Sequence, residues 1–212
     1  MHAIVAAGGD PPDEIWLDTL PRDGLVVAAD SGLAHVYALG LAPDIVVGDF
    51  DSVDPAQLDR ATRDGARIER HPTDKQATDL ELALDVALDA GATELTVIGL
   101  GGGRTDHHLA GLAALADPAW APMRIIALVG TDRIHVVHHD VTVTGRVASI
   151  VTLLAVGGPA RGVTTTGLRW ALQDAELSAT STLGVSNEIV TSPATVSVRG
   201  GTLFLIQPDG DH

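Results

Sequence analysis

The chain has 212 residues, enough for one large or two small domains, and 45% of them are hydrophobic, as in a globular protein. Its formal net charge of -15 argues against nucleic acid as a main partner, because phosphate backbones are bound by clustered lysine and arginine. No apolar run approaches the roughly 20 residues of a membrane-spanning helix, and the absence of cysteine excludes disulfides, thiolate metal sites and thiol nucleophiles.

The N-terminal residues carry no basic segment and turn acidic at once, so we expect neither a signal peptide nor a membrane partner. A cytoplasmic protein is the simplest expectation. Over roughly the first 130 residues, short β-branched runs alternate with helical patterns, which predicts a parallel sheet with crossover helices. The predicted strands cover residues 3–6, 25–29, 45–47, 67–70, 95–99 and 123–129. The sequence therefore predicts an open, parallel-sheet, Rossmann-like α/β domain.

Beyond Gly130 the composition changes to short runs rich in Val, Thr, Ser and Gly, with few helical patterns. Such runs are typical of an all-β domain, and we predict a small β-sandwich. The expected boundary lies near Thr131 to His135, which divides the chain into residues 1–132 and 133–212.

The stretch GDFDSVDP, residues 48–55, follows an apolar run and contains three carboxylates. Residues two apart on an extended backbone point the same way, so Asp49 and Asp51 are expected to face one point. Their mutual repulsion favours a cation between them, and ligands that are all oxygen suit Mg²⁺. Asp54 followed by Pro55 instead predicts a helix cap.

A second acidic stretch, TDKQATDLELAL, predicts a helix that begins with a capping box between Thr78 and Glu81. Asp74, Lys75 and Gln76 then lie in the loop that enters the helix, and Asp79 lies in its first turn. The chain has 12 arginines but one lysine, so Lys75 suggests a need for a compact point charge there.

The glycine-rich stretch GLGGGRTDHH has neither the spacing of a dinucleotide fingerprint nor the Gly-Lys-Ser/Thr of a Walker A loop. It offers backbone N–H groups at a helix N-terminus for an anion, with Arg104 placed to bind phosphate oxygens. Asp106 is expected to cap this helix. We assign no role to the histidine pairs, His107 with His108 and His138 with His139.

Five loops follow the carboxyl ends of predicted strands, the edge at which open parallel sheets bind ligands. One of them contains Asp30 and Ser31. The other four are Gly8 to Gly9, Asp49 to Asp51, Asp74 to Asp79 and Gly101 to Asp106. Their convergence at one edge favours a binding site over scattered surface acids.

Together these stretches resemble the thiamine pyrophosphokinase family, in order and over nearly the whole chain. The resemblance rests on AADSGLAHVYALGLAPDIVVGDFDSVDP, TDKQATDLELAL and GLGGGRTDHH, and in the second part on TTTGLRWAL and GVSNE. It implies transfer of pyrophosphate from ATP to thiamine with release of AMP, with Mg²⁺ as cofactor. It also implies an α/β domain followed by a β-sandwich, and a homodimer with thiamine near the subunit interface.

Carried over residue by residue, the resemblance assigns Asp49, Asp51 and Asp79 to the metal. The same three residues, with Lys75 and Arg104, form the implied catalytic set. The residues assigned to binding ATP or thiamine are Asp30, Ser31, Asp74, Gln76, Thr78, Asp106, Trp170, Ser186 and Asn187.

The chemistry of the residues agrees with this assignment. Attack on phosphorus needs positioning and charge neutralisation, which Mg²⁺, Lys75 and Arg104 would supply in a strongly acidic chain. Either Asp79 or Asp106 could accept the hydroxyl proton. Trp170 offers a flat face for a cationic heteroaromatic ligand. Gln76 stands where the family often has an acid, which leaves the number of metal ions open.

Two alternatives remain at this stage. One is a pyrophosphokinase with another hydroxymethyl heterocycle, such as a pterin, as the acceptor; the matches at Trp170 and at Ser186-Asn187 count against it. The other is a nucleotide- or thiamine-binding regulator with weakened catalysis, which only Gln76 supports.

Overall fold

A computed structural model describes residues 1–74 and 76–208 of the chain. The fold is mixed α/β, with parallel strand pairs in its first part and antiparallel pairs in its second. The chain divides into two compact units, each described separately below. The first unit comprises Met1–Leu112 and Leu128–Gly130, and the second comprises Ala113–Ala127 and Thr131–His212.

The first unit is built on five strands that lie where the sequence predicts them. They are β1 (His2–Ala6), β2 (Leu25–Ala29), β3 (Ile45–Gly48), β4 (Arg67–Arg70) and β5 (Glu94–Ile98). Their order is β4-β3-β2-β1-β5, and every adjacent pair is parallel. Parallel strands are covered on both faces, which explains why β1 and β3 are almost continuously apolar and buried.

The helices of this unit are α1 (Leu33–Ala38), α2 (Pro55–Arg63), α3 (Asp79–Asp89) and α4 (Thr105–Leu115). Two of the four, α2 and α3, begin where the capping signals predict. Asp54 caps α2 by accepting a hydrogen bond from the Ala56 N–H, and Thr78 forms the predicted capping box with Glu81. The predicted cap at Asp106 is wrong, because α4 begins one residue earlier and Asp106 lies inside its first turn.

The second unit consists mainly of strands. They are β7 (Asp132–Val137), β8 (Asp140–Val143), β9 (Ile150–Thr166), β10 (Ala175–Leu177), β11 (Asn187–Glu188), β12 (Ala194–Ser197), β13 (Gly200–Gln207) and most of β6 (Arg124–Val129), whose last two residues belong to the first unit. Strands β7-β13-β9-β12-β8 form an antiparallel series, and β10 and β11 pair with the long strand β9. Their inward-facing aliphatic side chains form a core around Leu153, Ile189 and Leu203.

The compact units differ from the predicted division of the chain at residues 131–132, which belong to the second unit, and at one longer segment. Ala113–Ala127, which the sequence places in the α/β part, clusters with the second unit. A buried hydrogen bond contributes to this, because the Thr202 hydroxyl on β13 donates to the carbonyl of Ala116. Within residues 1–74 and 76–208, no helix is long and apolar enough to cross a membrane.

A histidine on β7 makes stability depend on pH. Burial lowers the pKa of His135 to about 4; a hydrogen bond with Gln207 opposes the shift, and the charge of Arg133 contributes to it. The folded state therefore favours the neutral ring. The contribution of neutral His135 to the unfolding free energy is fully present above the ordinary pKa of about 6.5. It is lost as the pH falls from 6.5 towards 4. The maximum loss is about 3 kcal/mol of unfolding free energy.

We expect His135→Gln to flatten the fall in unfolding free energy between pH 6.5 and 4, measured by urea denaturation. The matched control is His139→Gln, at an exposed bend between β7 and β8, which should keep the wild-type slope. Equal slopes for His135→Gln and wild type would contradict the assignment.

Candidate active site

The loop after β3 brings Asp49 and Asp51 together through a turn. Phe50 between them adopts a left-handed conformation with φ of 65°. The Asp51 N–H donates to Asp49 Oδ1 at 3.1 Å, which closes the turn on the first carboxylate. The two acids do converge, but the explanation from an extended backbone is wrong, because β3 ends at Gly48.

Arg70 on the neighbouring strand β4 supports this turn. Its Nη1 donates to the carbonyl of Asp49 at 2.8 Å, and its guanidinium lies 4.7 Å from the centroid of the Phe50 ring. An unusual backbone conformation persists only where its surroundings hold it. Arg70 was not identified from the sequence, since nothing in an Arg at the end of a weak strand indicates this contact.

Asp30, at the end of β2, joins Asp49 and Asp51. Each of the three offers a carboxylate oxygen, and these oxygens all lie within 4.8 Å of one another. Burial raises the pKa of Asp30, a hydrogen bond from the Ser31 backbone opposes this, and the nearby carboxylates raise it further. Its Oδ1 is buried and makes no hydrogen bond within the described part of the chain. The sequence suggested Asp30 for ligand binding but not for this cluster.

Asp79 approaches the cluster from the first turn of α3, where the helix dipole favours a carboxylate. Gly48 lies between it and Asp30. A Cβ on Gly48 would lie 3.2 Å from the Asp30 Cβ and 3.3 Å from Asp79 Oδ1, both tighter than ordinary contacts. The absence of a side chain at residue 48 is therefore what lets the acids from β2 and α3 approach.

These residues fit a hard divalent cation. Three converging carboxylates and an orphaned, buried oxygen on Asp30 supply only oxygen ligands, as Mg²⁺ requires. Without a cation the same arrangement brings negative charges together, which is electrostatically unfavourable. The raised pKa of Asp30 reflects part of this repulsion. We call Asp30, Asp49, Asp51 and Asp79 the acidic cluster.

The remaining members of the second acidic stretch lie at its surface. Asp74, Gln76 and Thr78 are exposed in the loop before α3. The Thr78 hydroxyl is engaged with Glu81, accepting from its N–H at 3.2 Å and donating to Oε2 at 2.8 Å. Its observed contacts are thus those of a helix cap. Lys75, predicted as a catalytic cation, lies outside the described residues.

Arg104 and Asp106 bind each other in the glycine-rich loop. The guanidinium donates to both carboxylate oxygens, at 3.1 and 2.6 Å, and both side chains are exposed. This contact lowers the pKa of Asp106 to about 2 and raises that of Arg104. An exposed pair of this kind is held weakly, so Arg104 can exchange its carboxylate for phosphate oxygens.

The loops after β1 and β5 are joined by backbone hydrogen bonds. The Gly9 N–H donates to the carbonyl of Gly99 at 2.7 Å, and the His35 ring donates from Nε2 to the carbonyl of Gly9 at 2.6 Å. Gly8 packs closely on Ser31, so that a Cβ on residue 8 would require the Ser31 hydroxyl to move. Four of the five predicted loops therefore meet through described contacts. His35 was missed, because a helical histidine carries no distinctive pattern.

In the second unit, Trp170 is exposed by 55%, which argues against ordinary core packing. The buried side chain of Asn187 holds its backbone: Oδ1 accepts from the Trp170 N–H at 3.1 Å, and Nδ2 donates to the Trp170 carbonyl at 2.9 Å. Asn187 thus fixes the backbone that carries the indole. Both polar atoms of its side-chain amide form these hydrogen bonds.

Ser186 and Arg169 complete this surface. Ser186 has φ of 58°, and its N–H donates to the Thr152 hydroxyl at 3.0 Å. Arg169 binds Glu188 at 2.8 Å and lies 5.3 Å from the Trp170 ring centroid. The exposed indole of Trp170 thus stands on a hydrogen-bonded backbone and offers a surface on which a flat ligand can stack.

Comparison with known families matches both halves of the chain. Residues 18–127 match the family described as thiamin pyrophosphokinase, catalytic domain, and residues 135–203 match the thiamin pyrophosphokinase vitamin B1 binding domain. The acidic cluster lies within the first match, and Trp170 with Asn187 lies within the second.

Two curated relatives are thiamine pyrophosphokinases. The Bacillus subtilis (strain 168) protein is 26% identical over 186 residues, covering 86% of each chain. Thiamine pyrophosphokinase 2 of Oryza sativa subsp. japonica is 29% identical over 175 residues, covering 77% of this chain and 65% of its own.

Solved structures agree in fold. The Bacillus subtilis thiamine pyrophosphokinase superposes with a TM-score of 0.83 at 23% identity, covering 98% of this chain and 99% of its own. The thiamin pyrophosphokinase of Geobacillus thermodenitrificans gives 0.80 at 27% identity, covering 98% and 97%.

Proposed function

Given that the chain belongs to the thiamine pyrophosphokinase family, we propose that it transfers pyrophosphate from ATP to thiamine, giving thiamine diphosphate and AMP. One observation carries this assignment to the residues themselves. The carboxylates of the acidic cluster converge inside the segment that matches the catalytic domain.

In this reaction the thiamine hydroxyl oxygen bonds to the β-phosphorus of ATP, the bond from that phosphorus to the oxygen bridging to the α-phosphorus breaks, and AMP leaves. Bound Mg²⁺ would neutralise triphosphate charge. Asp49, Asp51 and Asp79 would hold it, and we add Asp30 because its oxygen lies within 4.8 Å of those of Asp49 and Asp51.

The cationic side chains have a separate task. Arg104 exchanges Asp106 for the phosphates, and Lys75 adds a second positive charge, which together offset the repulsion from a chain of net charge -15. Asp74, Gln76 and Ser31 lie in loops at the same edge and contribute to nucleotide binding.

For the hydroxyl proton we favour Asp79 over Asp106. Asp106 is exposed and lies outside the acidic cluster. Asp79 is half-buried and belongs to the acidic cluster. The proton then leaves the hydroxyl as the new bond to phosphorus forms.

The test is a coupled assay of AMP release with Mg-ATP and thiamine. We expect AMP formation to depend on thiamine, and thiamine diphosphate to appear in equal amount. AMP formed instead with a hydroxymethylpterin would support the alternative acceptor. Binding of both ligands without turnover would identify a regulator.

Trp170→Ala is expected to raise KM for thiamine about tenfold and to leave KM for ATP within about twofold. A desolvated cation–π contact contributes up to about 2 kcal/mol, and tenfold corresponds to 1.4 kcal/mol. Trp170→Phe should recover part of the loss. The control is Val190→Ala, another exposed apolar residue of the second unit. An equal change in both KM values would exclude a thiamine-specific role.

Further properties belong to the same proposal. We place ATP and Mg²⁺ binding in residues 1–132 and thiamine binding in 133–212, since the two family matches fall on either side of this boundary. The parallel order β4-β3-β2-β1-β5 supports a Rossmann-like first part, and the antiparallel pairs of the second support a β-sandwich.

A homodimer is supported by exposed apolar residues of the second unit, among them Val147, Ile150 and Leu183, since such surface is typical of interfaces. Sedimentation equilibrium should give twice the chain mass of 21.9 kDa. A cytoplasmic location accords with a chain without cysteine, and fractionation of cells would test it.

A further inference from the structure

Arg70, the last residue of β4, lies beside the turn that carries Asp49 and Asp51. In the pairing of β3 with β4 it stands opposite Gly48, and the His71 N–H donates to the carbonyl of Gly48 at 2.9 Å. The register of two parallel strands therefore fixes this arginine next to the first residue after β3. Its side chain is exposed, and it has no role in the reaction described above.

The guanidinium of Arg70 makes two contacts, and both act on the middle of this turn. Its Nη1 donates to the carbonyl of Asp49 at 2.8 Å, which fixes the peptide group that leads into Phe50. Its central carbon lies 4.7 Å from the centroid of the Phe50 ring. A charge-assisted hydrogen bond and a cation–π contact are each comparable in strength to the cost of one left-handed residue. Together they can hold Phe50 at its φ of 65°.

The conformation of Phe50 determines where the two neighbouring carboxylates lie. In the turn, the Asp51 N–H reaches Asp49 Oδ1 at 3.1 Å, and carboxylate oxygens of Asp30, Asp49 and Asp51 lie within 4.8 Å of one another. An extended Phe50 would break that hydrogen bond and move the Cα atoms of residues 49 and 51 towards the roughly 6.6 Å spacing of a strand. Mg²⁺ is small and demands near-ideal octahedral geometry, so its affinity is sensitive to such a change.

The charge of Arg70 has the opposite effect on a bound cation. A guanidinium repels Mg²⁺, so its charge alone weakens metal binding, and removing that charge would strengthen it. Holding the turn strengthens metal binding, and removing that support would weaken it. The two effects therefore differ in sign, which lets one measurement of metal affinity distinguish them.

We propose that Arg70 is a positioning residue for the metal site. It holds Phe50 in the left-handed conformation and so keeps the carboxylates of Asp49 and Asp51 at the separation that binds a divalent cation. It acts through the backbone, because its hydrogen bond goes to the carbonyl of Asp49 and leaves the carboxylate to the metal. This role rests on the proposed pyrophosphokinase function, in which the acidic cluster binds Mg²⁺.

The experiment measures Mn²⁺ binding to the full chain by electron paramagnetic resonance, with Mg²⁺ as competitor and without nucleotide or thiamine. Arg70→Met keeps an apolar stem beside Phe50 but loses the hydrogen bond and the charge. We expect it to raise the Kd for both metals about tenfold, the lower end of what losing a residue that orients a metal ligand costs. The kcat at limiting Mg²⁺ should fall by a similar factor and recover in part at saturating Mg²⁺. KM for thiamine should stay within about twofold.

Two further variants complete the test. Arg70→Lys retains a cation that can donate to the Asp49 carbonyl, though without the planar guanidinium, and should recover part of the metal affinity. Arg67→Met is the matched control, since Arg67 is an exposed arginine at the start of the same strand, paired with Glu69. It removes the same charge and should leave the Kd within about twofold. Urea denaturation checks that each variant is folded, and Arg70→Gln replaces Arg70→Met if the latter is not.

Three results would overturn the proposal. Unchanged metal affinity in Arg70→Met would mean that the arginine serves stability alone, and tighter binding would mean that only its charge matters. A raised KM for ATP with unchanged metal affinity would identify a direct contact with phosphate. Metal binding is read without turnover, so a failure of thiamine-dependent AMP release in a chain that binds Mn²⁺ counts against the proposed function alone. A wild type that binds no Mn²⁺ would overturn the metal site and the role of Arg70 together.

Discussion

Asp51→Asn is expected to lower kcat for thiamine-dependent AMP release by about 1000-fold or more, with no loss of unfolding free energy. The size follows from losing a proposed ligand of Mg²⁺, which would neutralise charge in the transition state. Stability should hold because Asp51 is exposed and because removing one charge relieves repulsion with Asp30 and Asp49. Asp49→Asn should behave alike, since an amide oxygen can still accept from the Asp51 N–H.

The measurement is a Mg²⁺ titration of activity, with urea denaturation to follow stability. Asp54→Asn is the matched control, three residues further on, where asparagine caps a helix as well as aspartate does. It should retain activity within about twofold. Near-normal activity of Asp51→Asn at limiting Mg²⁺ would show that the metal assignment is wrong.

Gly48→Ala is expected to reduce kcat about 100-fold and to destabilise the fold by about 1–2 kcal/mol. The activity loss follows from the new Cβ, which would press on the Asp30 Cβ at 3.2 Å and on Asp79 Oδ1 at 3.3 Å and so displace two acids of the cluster. The loss of stability follows from a φ of 152°, which side chains rarely adopt.

Gly65→Ala separates these two effects. Gly65 has φ of 94°, also unfavourable for alanine, but no atom lies within 4 Å of its would-be Cβ. It should lose a similar amount of stability and keep its kcat. Comparable loss of kcat in both variants would mean that backbone strain, not displacement of the acids, explains Gly48→Ala.

Much of the first unit was predictable because its signals are local. The strands β1, β2, β3 and β5 are largely apolar runs bounded by turn residues, and the caps at Asp54 and Thr78 involve partners two or three residues away. The convergence of Asp49 with Asp51 was also predicted, though the responsible conformation, the left-handed Phe50, was not. Such a conformation depends on Arg70, which is 20 residues distant and invisible to local pattern.

The glycine-rich loop shows where local reasoning ends. An anion site with an available Arg104 was expected from the sequence, and the structure adds that this arginine is paired with Asp106. That pairing lowers the pKa of Asp106, an effect that the sequence did not predict. Contacts between charged side chains depend on rotamers, which sequence spacing does not specify.

By itself, the sequence determined the kind of chemistry: acids without cysteine, one lysine, a glycine-rich loop, and the order of motifs that places the chain in its family. Only the tertiary structure decided which carboxylates converge, and it added Asp30 to the acidic cluster. It also showed that Asp10 and His108 line a separate cleft. The reason is physical. Strand and helix periodicity act over a few residues, whereas the edge of a parallel sheet assembles loops from distant parts of the chain.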